Sequence, residues 1–205
     1  MGKEMTRIQD LETKITEYKG RLKYLKQEEI KIDESLKSIQ QEIIYSQKAQ
    51  SILQLVAQKT QQELEYKISE LCTLAQSAIF YDDPKGPYKV KIEFEIKRGK
   101  TECNIYFERD GHEYDPLSGS GGGAVDVLCF SLQIAIWLIA KPKTRNFMAL
   151  DEPFSHLKGD IANRRAIQMV KKISDNIGLQ ILMVSDERVK KEDIIEGADK
   201  VFYIS

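Results

Sequence analysis

The stretch FMALDEP, residues 147–153, decides how this chain folds. Its apolar run is too short for a helix and long enough for a buried strand. Asp151-Glu152-Pro153 then closes the run with two acids and a residue that cannot extend a ladder. Upstream, SGSGGG at 118–123 precedes an apolar run from Ala124 to Ala140 that predicts a helix. Downstream, a helix is predicted from an Asp160 cap to Asn176-Ile177-Gly178, where the glycine offers a left-handed stop. A second apolar strand (LQILMV, 179–184), a short charged helix and a last strand (VFYI, 201–204) follow. Short apolar strands alternating with helices predict an α/β layer with parallel pairing.

Ahead of this layer, YKVKIEFEI at 88–96 alternates strictly between polar and apolar residues, and 101–109 does so more loosely. With Gly99-Lys100 between them, the pair predicts a β-hairpin. Gly99-Lys100-Thr101 also has the ending of a phosphate-binding P-loop. The earlier glycine that such a loop requires is Phe94, inside the alternating run, so the segment reads as a hairpin turn.

The texture changes near residue 80, dividing residues 1–80 from 81–205. Between Arg21 and Asp83 there is neither glycine nor proline. Apolar residues recur at alternating steps of three and four: Ile8, Leu11, Ile15, Tyr18, Leu22, Leu25, then Ile32, Leu36, Ile39 and Ile43, with Glu29 as a charged intruder. This is a heptad seam of about five repeats. The register slips after Ser46 and resumes as a stripe through Leu64, Ile68, Leu71 and Ala75. A helix from about residue 6 to 80 is on the order of 110 Å long. Each seam side chain left in water forfeits roughly 1.5–3 kcal/mol of burial, so a second helix is expected to cover it. No other predicted helix is of that length, which points to a second copy or another polypeptide. A bent hairpin within residues 1–80 is the alternative.

The charges nearly cancel, with Lys+Arg 31 against Asp+Glu 32, which removes the simplest argument for nucleic acid without excluding a local basic patch. Cys72, Cys103 and Cys129 are far apart and have only His112 and His156 to join them in a metal site, so they read as reduced thiols. The N-terminal residues are charged and carry no signal-like segment. The apolar stretch 127–140 is shorter than a bilayer span and contains Ser131 and Gln133, so no membrane role is expected. The expected location is the cytoplasm.

Two groups carry chemistry. An apolar strand ending in adjacent acids places both at the carboxyl edge of a parallel sheet. There Asp151 can face a Mg²⁺ ion, directly or through water, and Glu152 can polarise an attacking water. Alone, such a pair is also a common loop start or helix cap. Ser120-Gly121-Gly122-Gly123 precedes a helix, where backbone N–H groups and the helix dipole favour an anion. Alone, it also reads as a flexible joint.

Taken in order, these motifs resemble the C-terminal lobe of an ABC-type ATPase head preceded by a long coiled-coil helix, as in the SMC, RecN and SbcC branch. SGGG stands where that family carries its signature, and LDEP stands as Walker B. Ser155-His156-Leu157 follows as the D-loop does, and LMVSDE stands where the switch-histidine strand ends. More narrowly, EYDPLSGSGGGAVDVLCFSLQIAIW resembles small phage-encoded proteins that begin with a helix and lack an N-terminal lobe, which would place the chain in the host cytoplasm. A chain of that kind begins with Met1 leading into a helix, as an excised piece could also do.

In that family two heads sandwich ATP, one wrapping the phosphates and the other touching the γ-phosphate from across the interface. The resemblance implies trans contacts from Ser120, Gly121 and Gly122, Mg²⁺ at Asp151 and a base at Glu152. ATP and Mg²⁺ are then expected only with a Walker A partner, or not at all. Departures weaken the catalytic side. The signature's usual Gln or Glu is Gly123, the D-loop aspartate position is Lys158, and Asp186 replaces the switch histidine, where it would repel a phosphate. Lys141, Lys143 and Arg145, and Arg164-Arg165 with Lys171-Lys172, are candidate DNA contacts or simply solvated surface.

The leading expectation is a partial SMC-like ATPase subunit in DNA recombination or repair. It would act as a coiled-coil homodimer or higher oligomer, or beside a separate N-lobe chain. The rival is a non-catalytic scaffold that binds DNA or a nuclease. A transporter nucleotide-binding domain is disfavoured, because the heptad helix occupies the place of its N-terminal lobe.

Overall fold

The computed structural model describes residues 2–185 and 187–203, with side chains from Asp10 onward except at position 186. A single helix, α1 (Gly2–Phe80), runs the length of the glycine- and proline-poor region. The chain gathers into two compact units, Met1–Lys59 and Thr60–Ser205, so the last turns of α1 belong with the α/β residues that follow.

The first unit is helix alone. Glu28 apart, every described side chain from Asp10 to Lys59 is exposed. The predicted seam is bare. Leu11, Ile15, Leu22, Leu25, Ile32, Leu36, Ile39 and Ile43 are 50–58% exposed and Tyr18 is 71% exposed. Ile8 lies outside the described side chains.

The second unit holds the predicted hairpin and parallel pair. Strands β1 (Lys89–Lys97) and β2 (Lys100–Arg109) pair antiparallel with Lys97 opposite Lys100. The turn is therefore Arg98-Gly99, one residue earlier than expected. Both residues have positive φ (53° and 75°), as the tight two-residue hairpin turn requires. The lysine of Gly99-Lys100-Thr101 thus belongs to a strand. A third strand, β3 (His112–Tyr114), was not foreseen. It returns through Asp110-Gly111, again at positive φ (55° and 75°), so the Asp-Gly hairpin signal was present in the sequence.

β1 is an edge strand, and α1 covers that edge with side chains instead of another backbone. Thr73 Oγ1 accepts from Val90 N at 2.9 Å, Ser69 Oγ from Ile92 N at 3.0 Å, and Glu65 Oε1 from Phe94 N at 2.8 Å; Gln61 Nε2 donates to Phe94 O at 2.9 Å. The match is geometric. Four residues of helix rise about 6 Å and two residues of strand about 6.6 Å, so a polar side chain every helical turn meets every second strand residue. The edge is thereby covered from Val90 to Phe94.

A short helix, α2 (Pro116–Gly119), is capped by Asp115, whose Oδ1 accepts from Leu117 N at 2.9 Å. Helix α3 (Gly122–Ile139) lies between two core clusters. Ala124 and Leu128 pack with Cys72, Val90, Ile92 and Phe107. Val127, Phe130 and Ile134 pack with Ala75, Ile79, Leu150, Phe154, Ala166 and Leu179. By length and composition α3 could cross a membrane, so the expected length argument against a span does not hold. Its buried face marks it instead as a core helix.

Strands β4 (Phe147–Asp151) and β5 (Gln180–Val184) pair in parallel, as predicted. Helix α4 (Asp160–Ile177) joins them, starting from Gly159 at φ 94° instead of an Asp160 cap and ending at left-handed Gly178 as expected. A short charged helix, α5 (Lys191–Gly197), follows. The expected last strand is absent over 201–203, which have no regular structure, and Ile204 lies outside the described residues.

Met148, Leu150, Ile181 and Met183 turn one face of the parallel pair into the core. The opposite face is bare, with Phe147 at 49%, Leu182 at 52% and Val184 at 46% exposure.

Candidate functional site

Asp151 is the last residue of β4, opposite Val184 in register and on the bare face of the pair. Glu152 follows at φ 41°, a left-handed conformation that a side chain bearing a Cβ rarely takes. Two backbone bonds hold it there: Glu152 N donates to Val184 O at 3.0 Å, and Glu152 O accepts from Ser155 N at 3.1 Å. Both carboxylates are exposed at the carboxyl edge of the sheet. Beside them Glu152, Pro153, Asn163, Ile167, Met183 and Ser185 line a shallow hollow.

The glycine turn is built differently from the anion nest expected of it. None of Gly119, Gly121, Gly122 or Gly123 has positive φ, and Gly122 and Gly123 are already the first turn of α3. Their lack of a side chain serves packing. A Cβ on Gly122 would lie 2.8 Å from His156 Cβ, and one on Gly123 would lie 3.0 Å from Leu157 Cα, whereas Gly121 faces open space. The segment after the two acids therefore crosses directly over the start of α3. Ser120 Oγ donates to Pro116 O at 2.7 Å, so its proton is engaged within its own turn. Ala124 N already donates to Gly121 O at 3.0 Å, and the helix start keeps its dipole.

Asp126 fastens the crossing. It accepts from His156 N at 2.7 Å and lies 3.1 Å from His156 Nδ1, which is also 3.3 Å from Ser155 Oγ. Arg188 adds a hydrogen bond to Ser155 O. Asp126 is the one charged residue in the run 122–139, a signal for a buried-side partner that the motif pattern does not include. Among the described residues, no hydrogen bond joins Ser120, Gly121 or Gly122 to Asp151 or Glu152, and the two groups form separate stations. Asp186 lies outside the described residues. Lys158 is exposed.

Mg²⁺ takes one or two protein carboxylates and completes its shell with water and phosphate oxygens. Among the described residues no three His, Cys, Asp or Glu gather as a metal-holding group. A lone exposed Asp151 therefore fits the ion only together with a nucleotide's own phosphates.

The basic residues divide sharply. Lys141, Lys143 and Arg145 are exposed in the turn after α3, and Arg145 offers its carbonyl to Trp137 Nε1 at 3.3 Å. Arg164 and Arg165 are each paired with a carboxylate. Arg164 Nε donates to Asp193 Oδ1 at 2.6 Å, and Asp193 is buried. Arg165 grips both oxygens of Asp82 at 2.6 and 2.9 Å, donates to Ile79 O at 2.9 Å and stacks 4.0 Å from the Tyr81 ring. That bond holds the Asp82 carboxyl below the ordinary carboxylate range. Lys171 is likewise paired, with Asp199 and Asp175.

The three cysteines are free. Burial pushes the thiol pKa of each upward.

No family model and no curated protein matches this sequence. Among solved structures, the chain is similar to the Smc head domain with an extended coiled coil from Pyrococcus furiosus, solved bound to the C-terminal domain of ScpA. That likeness has a TM-score of 0.44 and 17% identity over 64% of this chain and 30% of that one. It is also similar to the Smc head domain with a coiled coil and joint from Pyrococcus yayanosii, at a TM-score of 0.46 and 19% identity over 64% of this chain and 23% of that one. The chain thus spans less than a third of the length of either.

Proposed function

We propose that this chain is a partial SMC-like ATPase subunit that supplies signature and Walker B groups to a nucleotide held largely by a partner, in the service of DNA recombination or repair. The observation that carries the reading is the Asp151-Glu152 pair. It stands exposed at the carboxyl end of a parallel strand, with Glu152 held in a strained conformation that two backbone bonds maintain. The bare sheet face of Phe147, Leu182 and Val184 supports a partner chain, because parallel pairs are ordinarily covered on both faces. ATP bound in such an assembly would supply the phosphates that complete a Mg²⁺ shell at Asp151. Glu152 would orient a water, and the α3 N-terminus with Ser120, Gly121 and Gly122 would stabilise negative charge on a second nucleotide. Lys141, Lys143 and Arg145, exposed in the turn after α3, are the proposed DNA contacts.

A fluorescent ATP analogue and a turnover assay test the reading. The purified chain is expected neither to bind nor to hydrolyse ATP alone. Its complex with the native partner hydrolyses ATP, and Glu152→Gln removes turnover while leaving nucleotide bound. Turnover by the chain alone overturns the proposal. A complex indifferent to Glu152→Gln and Asp151→Asn leaves the second reading, a non-catalytic scaffold, which Lys158 and Asp186 in the expected D-loop and switch positions favour.

A further inference from the structure

We propose that the bare seam of α1 is covered by the seam of a second copy running antiparallel, with residues 11–43 of each chain paired. This rests on the reading that the coiled coil joins copies of the chain, and it specifies the direction.

The seam fixes which side chains flank it. With Ile15, Leu22, Leu36 and Ile43 at the first core position of the heptad and Leu11, Tyr18, Leu25, Ile32 and Ile39 at the second, the charged flanking residues are Lys14, Arg21, Glu28 and Glu42 on one side. On the other side they are Glu12, Lys19, Lys26 and Asp33. Apart from Glu12, they sort by position. Lys14, Lys19, Arg21 and Lys26 are cationic, and Glu28, Asp33 and Glu42 further along are anionic. All of these side chains but Glu28 are exposed.

A parallel, in-register pair sets like against like. Lys14 meets the second copy's Lys19, Arg21 meets Lys26, and Glu28 meets Asp33, each contact occurring twice. It also places the two Glu29 carboxylates face to face in the core. An antiparallel pair meets Leu11 with Ile43, Ile15 with Ile39, Tyr18 with Leu36 and Leu22 with Ile32, while Glu29 lies against Leu25. Lys14 then faces Glu42 and Lys19 faces Asp33, each twice. Two like contacts remain, Lys26 and Glu28 each with its own symmetry mate. Glu28 is partly neutralised by Lys31 of its own helix, 3.3 Å away. The charge pattern favours the antiparallel arrangement.

Sedimentation equilibrium of the full chain decides between them, because the same substitution has opposite signs. Lys19→Glu is expected to weaken the antiparallel dimer roughly tenfold, since two attractions become repulsions. Lys19→Glu with Asp33→Lys restores it. In a parallel dimer Lys19→Glu would tighten association by facing Lys14. Cross-linking gives an independent reading with Cys103 and Cys129 replaced by serine. Tyr18→Cys with Leu36→Cys should join two copies covalently, whereas Leu22→Cys alone should not. A dimer that is tightened or unchanged by Lys19→Glu, or joined through Leu22→Cys alone, overturns the antiparallel direction and leaves the dimer standing. A chain that stays monomeric at tens of micromolar overturns the dimer as well.

Discussion

Between Ile68 and Ile79 one stripe of α1, formed by Ile68, Cys72, Ala75 and Ile79, lies in or against a core, and between Leu11 and Ile43 seam side chains at the same spacing are 50–71% exposed. The two stretches differ in what flanks the stripe. Around the seam the neighbours are long and charged: Lys14, Lys19, Arg21, Lys26. Around the buried stripe they are Gln61, Glu65, Ser69, Thr73 and Gln76, whose polar atoms reach backbone groups of β1 and α3. Apolar periodicity says that a helix will be covered. In the fold, the polar residues beside the buried stripe reach an exposed strand edge, whereas those beside the seam are long and charged, as the proposed pairing with a second copy would require.

The sharpest way to break this comparison is to truncate one side chain in each stretch. Ile79 is 1% exposed in the larger core cluster, and Ile79→Ala should cost about 2–5 kcal/mol by urea unfolding of the second unit. Ile39 is 52% exposed, so Ile39→Ala should leave that transition within about 0.5 kcal/mol and act only on association. Comparable losses at both positions would mean that the seam is buried within the chain itself.

A smaller change probes the side-chain ladder on β1. Thr73→Val keeps the shape and removes the oxygen that accepts from Val90 N, leaving a strand N–H without its partner at a cost of about 1–3 kcal/mol. Ser51→Ala, which removes only a hydroxyl donating to Gln47 O in the exposed stretch, should be neutral to within about 0.5 kcal/mol. Amide exchange sharpens the contrast, because Val90 should lose protection in Thr73→Val while Ile92 and Phe94 keep theirs.

Much of this was legible. The long helix, the hairpin, the parallel pair and the left-handed stop at Gly178 each follow from a local rule: periodicity, alternation, or a glycine where the backbone must turn left. What stayed hidden depends on contacts far apart in sequence. The ladder joins Thr73 to Val90 and Glu65 to Phe94, and nothing local distinguishes those residues from solvated ones. A glycine run at a helix start suggests backbone geometry first, because glycine commonly serves it. Here Gly122 and Gly123 make room for His156 and Leu157, more than thirty residues on. Arg164 and Arg165 show the same limit, since adjacent cations in sequence found separate carboxylates in space.

The smallest expected effect concerns the end of α1, where the buried stripe stops. Arg165 donates to Ile79 O and to Asp82, tying the helix terminus to α4, and a cation there also suits the negative end of the helix dipole. The Arg165 bond lowers the Asp82 pKa, so the folded state holds its proton less tightly than the unfolded chain does. The resulting stability is fully present above the ordinary carboxylate range. It is lost as pH falls through the depressed folded value. Asp82 is largely exposed, so the gain is modest and screened by salt. Asp82→Asn should therefore lower the urea midpoint at neutral pH and low salt, with the two curves converging as pH is taken into the acid range. At high salt the gap should narrow throughout. A constant gap at every pH would mean that the Asp82 side chain contributes through packing, leaving the carbonyl of Ile79 as the only polar tie between Arg165 and the helix end.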